Sequence, residues 1–518
     1  MASSRLRTVT TRRVCLTADG GHHTGGRRQI KDASIVMRRI LRWTVNALAA
    51  AILVSVTVVL VYALQARRLP DLQPWHTQAP HLEMTAADLG PDFSLARYLE
   101  RENALFAETR SLLKTAIALE EQVPGNRYWE GSANYQWNFA TDWNRSFEQA
   151  PAKPVGGALL LHGLTDSPYS MRAIAKALFE RGYYVLVLRL PGHGTVPASL
   201  EHATWQDWLA ATRLGARAVR EKIGPDLPFV MVGYSNGAAL TVKHQLDALD
   251  DPTLPSASRI LLMSPMIGVS PAAALAQLLN SLAFIPYFHK SEWTEVQPEF
   301  NPFKYNSFPI NGAIQSHALT TVIASSIKRL KASGRLAEMP PILAFQSVLD
   351  ATVSTAAVVN ILFDRLPANG SELVLFDLNR QTAFATVFTP AHRDFLRTLF
   401  TGKPRPYRLA VVTNANPGTH AAVQKSVAAG SREILEEPIG INYPPGVFSL
   451  SHIAVPFPIN DPLYGLEPDE AEYYGIRLGR LALHGERNAL RVSMENLARI
   501  GSNPFYPYLE RRALAWLE

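Results

Sequence analysis

The chain has 518 residues, too many for one minimal domain and enough for a large catalytic-size domain with appendages. Its 47% hydrophobic and 18% charged composition excludes wholesale disorder. The net charge of +7 does not mark a nucleic-acid binder, because residues 1–42 alone carry a balance of +8 and the rest of the chain is nearly neutral at −1.

After this basic tail, Trp43 to Leu64 form an uncharged apolar run of 22 residues. At about 1.5 Å per residue such a helix spans a bilayer, and it is too long for the apolar core of a cleaved signal peptide. Arg38, Arg39 and Arg42 precede it and only Arg67 and Arg68 follow, so the positive-inside rule predicts a cytoplasmic N-terminus and an extracytoplasmic remainder. Residues 1–36 are polar, rich in Gly and Arg, and show no hydrophobic period, whereas Met37-Arg-Arg-Ile-Leu-Arg reads as the natural beginning of a signal anchor. We therefore expect translation to start at Met37. The single cysteine, Cys15, lies in the tail, which excludes an intramolecular disulfide.

A connector rich in Pro and Gln runs to about residue 90, completing a 65–150 extension with a helix expected over Phe93 to Gln122. Tyr135, Trp137 and Phe139 alternate with polar residues and predict an edge strand or hairpin. From residue 156 the pattern becomes strand, turn, amphipathic helix, repeated. Strands are expected at Ala158 to Leu161, Tyr183 to Leu190, Pro228 to Gly233, Arg259 to Ser264, Ile342 to Ser347 and Glu372 to Leu378, with helices at Tyr169 to Arg181 and Thr204 to Ile223. This alternation predicts an α/β fold with a mostly parallel sheet covered by helices on both faces, over residues 151–518. The excess of about 70 residues before Ile342 predicts a cap at about 270–339.

Gly233-Tyr234-Ser235-Asn236-Gly237 carries the chemistry. A serine on a sharp strand-to-helix turn needs small residues two positions to either side, since the strand and helix backbones pass close together there. The apolar strand Phe229-Val230-Met231-Val232 precedes the motif and Ala238-Ala239-Leu240 opens a helix after it, as such a turn requires. His162-Gly163-Leu164 ends the first of these strands, where a loop would supply a backbone N–H to an oxyanion hole. Leu164 and Asn236 are the expected N–H donors. His162 is expected to be structural, because in this arrangement the base follows the acid in the chain.

His162-Gly163-Leu164-Thr165, Pro191-Gly192-His193-Gly194 and the Gly-Tyr-Ser-Asn-Gly turn, at these spacings, resemble the α/β-hydrolase superfamily. The stretch from 156 to about 265 is most similar to monoacylglycerol lipases, carboxylesterases and the serine aminopeptidase group. The resemblance implies a Ser-acid-His order with Ser235 as nucleophile, a cap, and no metal or organic cofactor, and it leaves the substrate open.

The strand Pro341 to Phe345 and the loop Ser347-Val348-Leu349-Asp350-Ala351-Thr352-Val353 resemble the acid-bearing segment, which nominates Asp350 over Asp364 and Asp377. Four histidines follow it: His392, His420, His452 and His484. His392 follows the strand at Glu372 most directly. A further apolar strand at Tyr407 to Thr413 indicates an insertion at about 380–445, which favours His452, set between an expected short strand, Gly446 to Ser451, and a Pro-rich loop, Ile453 to Pro462. His392 and His484 remain as alternatives. The segment Ser449-Leu450-Ser451-His452 also resembles the histidine loop of membrane-anchored relatives.

Leu278, Leu279, Leu282, Phe284, Ile285, Tyr287 and Phe288 in the cap are able to wall an acyl pocket or to form ordinary cap core. With a membrane tether, they point to a small lipid-like or other hydrophobic ester as substrate. Two rival functions stay open: an aminopeptidase or amidase using Glu292 or Glu299 to hold a substrate amine, and a non-catalytic envelope protein that keeps the fold.

Overall fold

The computed structural model describes residues 25–268, 289–290, 292–381, 399–481 and 490–518. The chain divides into two units, Met1–Gln65 and Ala66–Glu518. In the first, a helix of 44 residues runs over Gly25–Arg68 and so begins inside the tail, ahead of the apolar run. Its stretch Met37–Thr57 is long and apolar enough to cross a membrane. Large side chains such as Ile40, Trp43, Leu48 and Leu53 stand exposed along it, which water disfavours and a bilayer accepts.

The second unit is built on one ten-stranded sheet. Its strands are β1 (Phe147–Gln149), β2 (Gly156–Leu161), β3 (Tyr183–Leu188), β4 (Phe229–Tyr234) and β5 (Arg259–Met263). A separate two-stranded pair follows, β6 (Trp293–Glu295) and β7 (Phe308–Pro309). The main sheet then resumes with β8 (Ile342–Ser347), β9 (Glu372–Phe376), β10 (Arg408–Asn414), β11 (Ala421–Val427) and β12 (Ile434–Asn442). The order is β1-β3-β2-β4-β5-β8-β9-β10-β11-β12. From β3 to β10 neighbours are parallel, while β1 and the pairs β10–β11 and β11–β12 are antiparallel.

Side chains alternate between the faces, and both faces are apolar. Leu159, Leu161, Leu186, Met231, Ile260, Leu262 and Leu373 meet the core shared with helices Trp205–Ile223, Asn236–Ala248 and Ile310–Ala332. Ala158, Leu160, Val185, Val187, Val232, Leu261, Phe345 and Val374 face the other way, toward helices Arg172–Glu180 and Tyr506–Leu517. The helix after β3 shows how local signals set a boundary. Thr204 caps it reciprocally with Asp207, and Gly224 ends it at φ 73°.

The extension ahead of the sheet is fastened by a buried ionic network. Helix Leu95–Lys114 offers Glu102, whose carboxylate lies 3.0 Å from Arg189 Nε and also accepts from Ser146. Arg189 reaches Glu83 at 3.1 Å, and its carbonyl accepts from Tyr98 Oη at 2.7 Å. Removing one partner would leave a buried charge uncompensated, at a cost of about 3–5 kcal/mol.

Two expectations need correction. Tyr135 to Phe139 form no strand: a 3₁₀ turn covers Gln136–Asn138, because Gln136 is the fully buried residue and is clasped by the Arg127 guanidinium. The edge strand falls instead at β1. Gly446 to Ser451 is likewise turn and loop, with Gly446 at φ 81° and the Val447 and Phe448 carbonyls accepting from Asn379 rather than from a strand partner. Within the expected cap, 270–339, the described residues hold the β6–β7 pair and one long helix. Helix Ile310–Ala332 adds Leu319, Ile323, Ile327 and Leu330 to the main core and packs against helix Asn236–Ala248, while residues 269–288 and 291 lie outside the described residues.

Candidate active site

The sheet order places β2 between β3 and β4, so the connections leaving β2 and β4 diverge and open a crevice at their carboxyl ends. Ser235 follows β4 directly. It sits at φ 52°, a left-handed conformation disfavoured for a side chain with Cβ, and initiates helix Asn236–Ala248. Thr165 after β2 and Ser264 after β5 also have positive φ, and among the described residues these are the three non-glycine cases. Backbone strain is thus gathered at one end of adjacent strands. The two elbow glycines answer the crowding there. A Cβ on Gly233 would collide with the Ala238 backbone, and one on Gly237 with the Leu161 carbonyl.

His452 Nε2 lies 2.9 Å from Ser235 Oγ, and His452 Nδ1 lies 2.7 Å from Asp350 Oδ2. The serine and histidine are 6% and 5% exposed, so the chain of bonds runs where water competes little. Asp350 stands just past β8 and is saturated with donors. Oδ1 accepts from the Thr352 and Val353 N–H groups at 2.8 and 2.9 Å, and Oδ2 also accepts from Gln346 Nε2 at 2.9 Å. Burial pushes this carboxyl up, but the charge and hydrogen bond of His452 and the two backbone N–H groups outweigh burial and hold it below the usual carboxylate range. With the carboxylate fixed on Nδ1–H, Nε2 is left as the acceptor facing the serine hydroxyl.

The His452 loop is itself tied down. Ser451 Oγ donates to the Arg499 carbonyl at 2.6 Å, and Tyr234 Oη donates to the His452 carbonyl at 3.3 Å. Sequence reasoning passed over Tyr234, Gln346 and Arg499. Tyr234 adjoins Ser235 at the end of β4, and Gln346 lies in β8 shortly before Asp350, and that nearness was the available signal.

Asn236 follows Ser235 in the chain, and Gly163, the residue before Leu164, packs against that serine. Gly237 N–H donates to the His162 carbonyl at 3.0 Å, locking the helix start to the end of β2. A Cβ on Gly163 would stand 2.9 Å from the Tyr234 ring and 3.3 Å from Ser235 Cβ, so only glycine allows the loop this close. Among the described residues neither the Leu164 nor the Asn236 N–H donates a hydrogen bond. His162 is fully buried. It accepts from Leu190 N–H at Nε2 (3.0 Å), which leaves Nδ1 to donate to the Gly163 carbonyl (2.9 Å), and burial lowers its pKa well below the usual value.

The remaining nominated residues separate clearly. His420 is exposed beside β11, and His392 and His484 lie outside the described residues. Asp364 pairs with Arg405 at 2.6 Å, and Asp377 is held by Arg380 and Thr413. Glu299 is buried and accepts from the Asn306 and Ser307 N–H groups at 3.0 and 2.8 Å, which commits it to the segment's own backbone. Glu292 is half-buried, and burial raises its carboxyl.

Residues 152–378 match the family model described as serine aminopeptidase, S33. A stretch of 89 residues is 38% identical to the thermostable monoacylglycerol lipase of Bacillus sp. (strain H-257), covering 17% of this chain and 34% of that enzyme. The chain therefore matches about a third of the length of that curated relative. Among solved structures, one of the metagenome-derived lipolytic enzymes LipS and LipT aligns at 26% identity over 46% of this chain and 88% of the other, with a TM-score of 0.33. Paleococcus ferrophilus monoacylglycerol lipase aligns at 16% identity over 45% and 88%, with a TM-score of 0.34.

Proposed function

We propose that this chain, a member of the α/β-hydrolase superfamily, is a serine hydrolase that cleaves carboxylic esters of lipid-like or other hydrophobic acyl groups through an acyl-enzyme. The observation that carries the reading is the continuous bond path Ser235–His452–Asp350 at 2.9 and 2.7 Å. His452 takes the Ser235 proton as Oγ attacks the acyl carbonyl, and Asp350 orients the imidazole and stabilises its positive charge. The uncommitted N–H groups of Leu164 and Asn236 receive the oxyanion. His452 then returns the proton to the departing alkoxide. Water, deprotonated by the same imidazole, releases the acid and restores the serine.

The monoacylglycerol lipase likeness in the matched stretch supports an acyl ester as substrate. The apolar helix supports a tether at a membrane, and the excess of positive residues before it supports a cytoplasmic N-terminus. A second reading, an aminopeptidase, draws on the description of the matched family. Such an enzyme needs a carboxylate free to bind a substrate amine, and Glu299 is already committed to backbone N–H groups.

The test is turnover by the full chain in detergent of nitrophenyl esters of graded chain length and of aminoacyl anilides. Ester hydrolysis lost in Ser235→Ala supports the ester reading. Hydrolysis of anilides alone would replace it with the peptidase reading.

A further inference from the structure

Lys304 belongs to the segment between β6 and β7, yet its ammonium reaches across to the loop after β2. Nζ lies 2.6 Å from Thr165 Oγ1 and 3.3 Å from the Leu164 carbonyl oxygen. The next residue repeats the grip, since Tyr305 N–H donates to the Thr165 carbonyl at 2.8 Å. Thr165 is β-branched and sits at φ 62°, a conformation that persists only where surrounding contacts over-determine it. These contacts are that restraint. On the other side of the same loop, the Gly163 carbonyl accepts from His162 Nδ1 at 2.9 Å and from Asp166 N–H at 3.2 Å. In a trans peptide C=O and N–H point in opposite directions, so fixing the Gly163 oxygen fixes the direction of the Leu164 N–H.

We infer that Lys304 is a positioning residue for the reaction proposed above, holding the Leu164–Thr165 backbone so that the Leu164 N–H stays aimed at the oxyanion. The inference rests on the serine-hydrolase reading. It adds that the segment between β6 and β7 is coupled to the reacting centre through one side chain. Lys304 makes no ion pair among the described residues. The charged groups that bear on it are Asp166 on the gripped loop, Glu299 on its own segment and Arg499 from the C-terminal region. Burial lowers its pKa, Asp166 and Glu299 oppose that shift, and Arg499 adds to it.

The experiment compares wild type, Lys304→Met, Lys304→Arg and Thr165→Val in steady-state hydrolysis of nitrophenyl butyrate. For Lys304→Met the expected result is a kcat loss of about 30-fold with KM within about twofold, since misaiming a donor weakens the transition state and not substrate binding. Lys304→Arg should recover to within about fivefold of wild type, and Thr165→Val, which removes one of the two acceptors, should lose about fivefold in kcat. Unchanged kcat in Lys304→Met, or a loss confined to KM, would overturn the inference. Should Lys304→Met not fold, Thr165→Val decides: a kcat loss at constant KM supports the assignment, and wild-type kcat refutes it. Absence of ester turnover in the wild type would instead count against the serine-hydrolase reading itself.

Discussion

The parallel block β2-β4-β5-β8 and the antiparallel extension β10-β11-β12 lie in one sheet but treat chemistry differently. In the block the carboxyl ends of three strands bring a group to one crevice: the loop 162–166 after β2, Ser235 after β4, Asp350 after β8. The extension delivers none. It carries the chain outward through β12, mostly exposed, and only after a return through Tyr443 and the turns beyond does His452 arrive, 102 residues past Asp350. Parallel strands aim their ends at one place by construction, whereas an antiparallel meander has to bring its chain back, and its sequence pattern does not announce where.

Substitutions that silence the crevice and spare the extension test this contrast. Ser235→Ala and His452→Ala should each lower kcat by at least about a thousandfold, while His420→Ala, on the extension, leaves it unchanged. A comparable loss in His420→Ala, measured with nitrophenyl esters, would erase the distinction. Asp350→Asn should lower kcat by about a hundredfold or more at near-constant KM, because the amide no longer dictates the imidazole tautomer. Since the Asp350 pKa is depressed in the folded state, its carboxylate stabilises the fold above the usual carboxylate range and this stability is lost as pH falls through the folded value. Acid titrations of thermal stability should therefore be flatter in the asparagine variant.

Asp166 gives a smaller effect of opposite sign. Burial raises its carboxyl to about 6 against the partial opposition of Lys304. A folded-state pKa above the unfolded one means a penalty that begins near the ordinary carboxylate value and is complete above about pH 6. Asp166→Asn should raise the melting temperature at pH 7.5 and leave it unchanged at pH 3.5. In the extension, the half-exposed pair Lys425–Glu436 at 3.3 Å should yield no more than about 0.5 kcal/mol on Lys425→Ala.

The same contrast explains what the sequence disclosed. Strands β2, β3, β4, β5, β8 and β9 were legible because both faces of each are buried and their apolar runs are unbroken. The elbow was legible because Gly233 and Gly237 are required by backbone approach, a constraint written in single residues. His452 was harder to reach, since the expected strand ahead of it is a loop held by Asn379, a contact 69 residues distant that no local pattern encodes. Tyr135 to Phe139 misled because alternation counts aromatic rings but does not register that Gln136, bound by Arg127, is the residue turned inward. Lys304 gave no local sign at all, because its partners lie some 139 residues earlier in the chain.

Intact-mass and peptide mass spectrometry of the full chain, quenched during turnover of a slowly deacylating nitrophenyl ester, tests the central claim most directly. The account predicts one acyl group per chain, located on the peptide that contains Ser235 and absent from Ser235→Ala. Turnover with Ser235 unmodified, or an acyl group on another residue, would contradict it.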